Sequence, residues 1–175
     1  MTMRIIFLDV DGVLNTERYQ TWLQGKGVPF RDDYGKPLFD PAALANLKRI
    51  LNALPEVRIV LESTWTFGGH PDSLHFIWSQ RGLPGVLFDF ILTHYTKDMF
   101  TIGISGPDDI KKVDDIGKNR AIRAWLRRNA GPDDRYVILD DMADFRGKLF
   151  EHTVYVNPWV GLTEFDAKEV IMRLK

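Results

Sequence analysis

Short apolar runs recur along the chain, and turn or polar residues follow each of them. Runs of four or five residues rich in Val, Ile and Phe are typical of strands buried within a sheet. The pattern predicts five strands, at residues 4–8 (RIIFL), 57–61 (VRIVL), 90–93 (FILT), 136–139 (YVIL) and 153–156 (TVYV).

Segments with apolar residues at three- and four-residue spacing alternate with these runs and predict helices. The Asp40-Pro41 pair is typical of a helix start. Thr163 and Asp166 have capping-box spacing at the beginning of the last helix. The predicted helices are residues 19–24, 41–54, 72–81, 118–130 and 163–174.

Strands that alternate with helices predict right-handed crossovers and a parallel sheet covered on both faces, which is a three-layer Rossmann-like α/β fold. Ligands in such sheets bind at the carboxyl ends of the strands. We expect a single domain over residues 1–175, with a flap at 15–40 and a small insertion at 96–117 that holds a hairpin near 100–104.

Composition narrows the class of protein. The chain has 175 residues, of which 45% are hydrophobic and 27% charged, and its formal net charge is −1. Since there is no cysteine, disulfides, cysteine–zinc sites and cysteine nucleophiles are excluded. No run approaches the roughly 18 apolar residues of a membrane span, so we expect no membrane partner and a cytoplasmic location.

Two aspartates follow the first predicted strand, in the segment FLDVDGVLN. The period of an extended chain places Asp9 and Asp11 on the same side, and Gly12 allows a sharp turn directly after them. Neighbouring carboxylates repel each other unless a cation lies between them. A hard dication with oxygen ligands, most plausibly Mg²⁺, resolves this repulsion. The alternative is an acidic strand exit into an Asp-Gly turn.

The segment closely resembles the DxDG(T/V) signature of haloacid-dehalogenase-like (HAD) phosphatases. The resemblance implies that Asp9 attacks phosphorus and forms an aspartyl-phosphate. It implies that Asp11 protonates the leaving group and later activates water. A carboxylate is a chemically reasonable phosphoryl acceptor, and Mg²⁺ screens its charge from the anionic substrate.

The remaining HAD motifs have counterparts in the expected order. Ser63, after the second strand, matches the phosphate-binding hydroxyl, with the Thr64 amide beside it. Glu62 departs from the pattern, which favours a smaller or apolar residue, and either solvent or substrate is a possible neighbour for it. Lys118 matches the cation that neutralises the phosphate, although Lys111 and Lys112 compete for this role.

Asp140 and Asp141 follow the fourth strand and resemble the acids that complete the Mg²⁺ site. The metal ligands implied are therefore Asp9, Asp11, Asp140 and Asp141. Asp140 is the favoured direct ligand, although either acid fits the motif. The tail VNPWVGLTEFDA resembles the ending of a small HAD subgroup that includes HAD domains attached to RNA-repair proteins.

The resemblance implies a phosphorylated substrate, either a small molecule or a nucleic-acid end. The predicted flap and insertion are too small for a full cap domain, so we expect an open site, which suits a bulky substrate. The flap aromatics Tyr19, Trp22, Phe30 and Tyr34 either stack on a base or pack the flap. Arg120, Arg123 and Arg127 form a helical stripe that either meets phosphates or is a solvated face.

Three other functions compete with a phosphatase. A dehalogenase lacks the second aspartate, so Asp11 argues against it. A mutase usually carries a larger cap to exclude water. A non-catalytic binding module in nucleic-acid repair remains the alternative of a different class, and intact acids argue against it.

Overall fold

The structure, a computed structural model, describes residues 2–29, 38–63, 71–91, 117–142 and 145–175, without the side chains of residues 71–74 and 77. The strands are β1 (Arg4–Leu8), β2 (Val57–Leu61), β3 (Leu87–Phe90), β4 (Arg135–Asp140) and β5 (Thr153–Tyr155). The helices are α1 (Glu17–Gly25), α2 (Pro41–Ala53), α3 (Pro71–Gln80), α4 (Lys118–Asn129), α5 (Lys148–Glu151) and α6 (Glu164–Leu174).

The five strands form one parallel sheet in the order β3-β2-β1-β4-β5. Strand β1 lies in the centre and pairs with β2 on one side and β4 on the other. Leu8, its last residue, pairs with Leu61 of β2 and with Leu139 of β4. The three central strands therefore end at the same level, which brings the residues that follow them side by side.

Alternation along the strands divides the core into two layers. Ile6 and Leu8 of β1 pack on the side that holds buried residues of α2, α3 and α6. Ile5 and Phe7 pack on the other side, against Trp125 of α4 and its neighbours. Burial of such a side chain contributes roughly 1.5–3 kcal/mol. Helices on both faces confirm the predicted three-layer α/β fold.

Caps at two helices follow the sequence prediction. The Asp40 carboxylate accepts a hydrogen bond from the amide of Ala42 at the start of α2. Thr163 and Asp166 form the reciprocal capping box of α6, in which each side chain accepts from the other residue's amide. These local bonds satisfy amide donors that the helix itself leaves without partners.

The third strand differs from its prediction, which placed it at residues 90–93. Strand β3 begins at Leu87, which pairs with Ile59 and is buried. Asp89 interrupts the apolar pattern, but its carboxylate accepts a hydrogen bond from the Trp125 indole at 2.6 Å. This bond offsets the cost of an acid inside the strand. Residues 92 and 93 lie outside the described residues.

The other boundaries agree to within a few residues. Helix α1 begins at Glu17, two residues before its predicted start, because Thr16 serves as its N-cap. Strand β5 ends at Tyr155, one residue early, although the Val156 amide still donates to the Asp140 carbonyl. Helix α5 was not predicted. The predicted hairpin near 100–104 lies outside the described residues.

Candidate active site

Three acids stand in one row across the centre of the sheet. Glu62, Asp9 and Asp140 each come one position after the paired leucines of β2, β1 and β4. All three continue the columns of side chains that face α4, since Phe7, Val60 and Ile138 precede them by two residues in that layer. Their exposed fractions are 1%, 7% and 0%.

Lys118, the first residue of α4, lies among these acids. Its ammonium nitrogen is 2.6 Å from Asp9 Oδ2, 2.7 Å from Asp140 Oδ2 and 3.2 Å from Glu62 Oε2. A cation at a helix N-terminus opposes the helix dipole, and here the carboxylates supply the compensating charge. Their negative charge raises the pKa of Lys118 above its ordinary value, against the opposing effect of burial. The lysine therefore stays charged.

Burial raises the pKa of two acids in the row. It raises the pKa of Asp140 to about 7, with the charge of Asp9 acting in the same direction and Lys118 opposing it. Burial also raises the pKa of Glu62 well above its ordinary value, with Asp140 and Asp9 adding to the effect. One ammonium does not balance this many carboxylates, so the group favours an additional cation or protons.

Asp9, Asp140 and Asp141 form a carboxylate cluster: each offers one oxygen, and these oxygens all lie within 4.8 Å of one another. Such an oxygen set fits a hard divalent cation. Asp140 Oδ1 also accepts the Met142 amide at 2.8 Å. Asp141 is less buried and borders the adjacent pocket, while burial and the charge of Asp9 raise its pKa.

Asp11 lies in the same pocket as Asp9 but outside the carboxylate cluster. Its carboxylate accepts a hydrogen bond from the Asn15 side chain at 2.7 Å. Gly12 makes the turn between them with a φ of 76°. A Cβ on Gly12 would lie 2.3 Å from Asp141 Oδ2, so the glycine also makes room for that acid. A metal-binding role for Asp11 stays a prediction.

A pocket of about 390 Å³ opens beside the cluster. Ser63 is fully buried and is not among the described residues that line this pocket. Its phosphate-binding role therefore stays a prediction, and Thr64, Lys111 and Lys112 lie outside the described residues. The lining residues are Asp9, Asp11, Gly12, Asn15, Thr16, Glu17, Gln20, Lys118, Asp141, Met142 and Pro158.

The sequence tail forms part of the pocket wall and holds the flap helix. The carbonyls of Pro158 and Trp159 accept hydrogen bonds from the first two amides of α1 at 3.0 and 3.1 Å. Gly161 packs so tightly that a Cβ would lie 2.2 Å from Thr16 Cγ2. The sequence marked this tail by its resemblance alone and gave no indication that it contacts the flap.

The flap aromatics lie away from the pocket where they are described. Glu17 and Gln20 of α1 line the pocket. At about 100° per residue, Trp22 lies about 140° from Glu17 and about 160° from Gln20 around the helix axis, which is nearly the opposite side of the helix. Tyr19 and Trp22 stack on each other with ring centroids 5.7 Å apart. Neither ring is among the described residues that line the pocket, and stacking of either ring on a base stays a prediction. Phe30 and Tyr34 lie outside the described residues.

The arginine stripe lies on the outer side of α4. Arg120 and Arg127 are exposed, whereas Arg123 is half-buried and donates to the Arg146 carbonyl at 3.3 Å. Contact between this stripe and phosphates stays a prediction.

Glu62 differs from the expectation that solvent or substrate is its neighbour. The side chain is buried against Lys118 instead. The signal was present, because Glu62 follows VRIVL by one residue as Asp9 follows RIIFL. In a parallel sheet whose strands are in register, equal offsets from the strand ends give adjacent side chains. Asn15, Gln20 and Pro158 were also missed as pocket residues.

The chain matches a known protein family over most of its length. The family model described as "HAD domain in Swiss Army Knife RNA repair proteins" matches residues 5–167. No curated protein matches the chain. Among solved structures, the chain is similar to a probable YrbI family phosphatase from Pseudomonas syringae pv. phaseolica 1448a. That match has 15% identity and a TM-score of 0.36, and it covers 98% of this chain and 85% of the other.

Within the described residues, no helix combines the length and the apolar character needed to cross a bilayer.

Proposed function

Since the chain belongs to the family of HAD domains in Swiss Army Knife RNA repair proteins, we propose that it is a Mg²⁺-dependent phosphomonoesterase that acts through an aspartyl-phosphate on Asp9. One observation carries the proposal. Oxygens of Asp9, Asp140 and Asp141 lie within 4.8 Å of one another, while Lys118 bridges Asp9 and Asp140. Acids from two strand ends thus meet at one pocket.

In the first step, an Asp9 carboxylate oxygen attacks phosphorus while the bond from phosphorus to the leaving oxygen breaks. Asp11, which lines the same pocket, donates a proton to that leaving oxygen. In the second step, Asp11 takes a proton from water, the hydroxide attacks phosphorus, and Asp9 is released with inorganic phosphate. Lys118 offsets the charge that the phosphate brings next to the carboxylates.

Asp9, Asp140 and Asp141 would hold Mg²⁺, because their oxygens form a set of the kind that this ion prefers. The bound ion supplies positive charge that reduces repulsion between the nucleophile and an anionic phosphate. Asp140 is fully buried, with both oxygens hydrogen-bonded by Lys118 and Met142, whereas Asp141 borders the pocket. We assign one ligand oxygen to each of them.

The proposed substrate is a phosphorylated nucleic-acid end or a nucleotide. The family description names RNA-repair proteins, and the stretches at 15–40 and 96–117 are too short for a full cap domain that would exclude a large substrate. Release of phosphate from oligonucleotides with a 3′- or 5′-phosphate tests this assignment against sugar phosphates. Faster turnover of the sugar phosphates would reject the nucleic-acid substrate and leave the hydrolase assignment standing.

Hydrolysis of p-nitrophenyl phosphate tests the chemistry itself. We expect turnover with Mg²⁺, loss of turnover with chelator, and no turnover after Asp9→Asn, because an amide is a poor nucleophile. Asp133→Asn is the matched control, since Asp133 is an exposed aspartate in the turn after α4. Activity that survives Asp9→Asn rules out Asp9 as the nucleophile, and absence of turnover in the wild type favours a non-catalytic binding module.

A further inference from the structure

Glu62 occupies a position where the backbone allows little movement. Its amide donates to the Leu8 carbonyl at 2.8 Å, so the β1–β2 pairing continues through this residue. It lies in register beside Asp9, and its side chain is 1% exposed. The carboxyl group is therefore held against the site by the sheet and not by a loop.

The contacts of Glu62 are few. Neither carboxyl oxygen has a hydrogen-bond partner among the described residues. The 3.2 Å contact between Oε2 and Lys118 Nζ is an ion pair. A buried carboxylate with so little compensation costs stability. Buried ionisable groups of this kind are common at functional sites.

The three acids around Lys118 are not equivalent. Asp9 and Asp140 belong to the carboxylate cluster that fits a dication, whereas Glu62 does not. Asp9 and Asp140 would share their carboxylates between Lys118 and a bound cation. Glu62 lies outside the cluster, so its ion pair with the Lys118 ammonium would not be shared with a cation.

We propose that Glu62 is a positioning residue that holds the Lys118 ammonium beside Asp9. The proposal rests on the function proposed above, because it assigns Lys118 to the phosphate. Glu62 itself touches neither the pocket nor a reacting atom: it is absent from the described pocket lining. Its close contact with the site, among the described residues, is the ion pair with Lys118.

Substitution of Glu62 tests this role through p-nitrophenyl phosphate hydrolysis. We expect Glu62→Gln to lower kcat/KM on the order of 10- to 100-fold. Loss of a residue that orients a site residue from behind typically has an effect of this size. Glu62→Asp keeps the charge and should recover part of the loss. Glu164→Gln is the matched control, since Glu164 pairs with Lys168 on the surface. Activity unchanged in Glu62→Gln overturns the proposal.

A double-mutant cycle with Lys118→Met separates positioning from a merely structural role. If Glu62 acts through Lys118, adding Glu62→Gln to Lys118→Met causes no further loss of kcat/KM. A loss of the same size in both backgrounds means that Glu62 acts otherwise, and the proposal falls. Should Glu62→Gln not fold, Glu62→Asp takes its place in the cycle with the same two outcomes.

Urea unfolding of the metal-free protein supplies a readout that does not depend on activity. We expect Glu62→Gln to change the free energy of unfolding more favourably in the Lys118→Met background than in the wild type. Without Lys118, the Glu62 carboxylate is buried with no cation beside it, so its removal relieves a cost. If Glu62→Gln changes the free energy of unfolding equally in both backgrounds, Glu62 and Lys118 are not coupled and the proposal falls. Coupling in urea together with a wild type that lacks Mg²⁺-dependent hydrolysis rejects the proposed function alone.

Discussion

Two glutamate–lysine pairs in this molecule show how burial changes the behaviour of the same chemical groups. Glu62 and Lys118 lie 3.2 Å apart with side chains 1% and 6% exposed. Glu164 and Lys168 lie 3.0 Å apart with side chains 56% and 69% exposed. The distances are similar, so the surroundings and not the contacts distinguish the pairs.

The pKa values of the two glutamates move in opposite directions. Burial raises the pKa of Glu62 well above its ordinary value, and Lys118 only partly opposes it. Hydrogen bonds from Lys168 and Arg49 lower the pKa of Glu164, where solvent still reaches the carboxylate. Water screens the surface pair and makes it nearly neutral for stability. Water does not screen the buried charges around Lys118, so removal of one of them leaves the others without compensation and lowers stability.

The largest effect is expected from Lys118→Met, which removes the cation from the buried group. Loss of one partner from a buried ion pair typically costs about 3–5 kcal/mol, and here the remaining acids repel one another. We expect a drop of that size in the free energy of unfolding of the metal-free protein at pH 8, together with a phosphatase activity that is strongly lowered but still measurable. Urea unfolding measures the first.

Lys168→Met is the matched control for that change, because Lys168 pairs with the exposed Glu164. A similar drop in both variants would remove the distinction between the buried and the exposed pair.

Gly12→Ala should have the next largest effect. The residue has a φ of 76°, and the added Cβ would lie 2.3 Å from Asp141 Oδ2. Backbone strain of this kind costs about 1–3 kcal/mol, and displacement of Asp141 should weaken Mg²⁺ binding as well. Calorimetric titration with Mg²⁺ measures the second effect. Gly27→Ala is the control, since Gly27 has a φ of 64° but open space around its Cβ position.

A smaller effect is expected from pH. Because the pKa of Asp140 is raised from 3.8 to about 7, the folded metal-free protein binds more protons than the unfolded chain between these values. Its stability should therefore fall as pH rises through this window. Urea unfolding at several pH values measures the slope, and Asp140→Asn should reduce it. A slope of the opposite sign contradicts the raised pKa.

The smallest effect is expected from Glu164→Gln on the surface. The lowered pKa of Glu164 predicts a stabilising contribution that is present above the ordinary value and is lost as pH falls. This sign is opposite to that of the buried group. Solvent screening makes the contribution small, so Tm at pH 7 should not change measurably. A clear decrease in Tm would show that the exposed pair contributes more to stability than solvent screening allows.

Much of the fold could be predicted because local patterns and tertiary packing agree. Strands β1 and β2 have their predicted bounds, and the caps of α2 and α6 use Asp40 and Thr163 as expected. Strand β3 was placed too late because Asp89 interrupts its pattern. Only the fold shows that the Trp125 indole satisfies this acid.

The candidate site was predictable in part for the same reason. Asp9 and Asp140 follow apolar strands directly, so the end of the sheet brings them together, and Lys118 meets them from the start of α4. Ser63 is fully buried after β2, and its phosphate-binding role stays a prediction.

The sequence by itself determined which residues follow the strands and that the sheet is parallel, because strand periodicity and crossover handedness are local properties. Only the tertiary structure decided which acids share the lysine. Register places Glu62 beside Asp9, and the packing of α4 places Lys118 above both. Burial then sets the charge on each group, and burial is a property of neighbours distant in the chain.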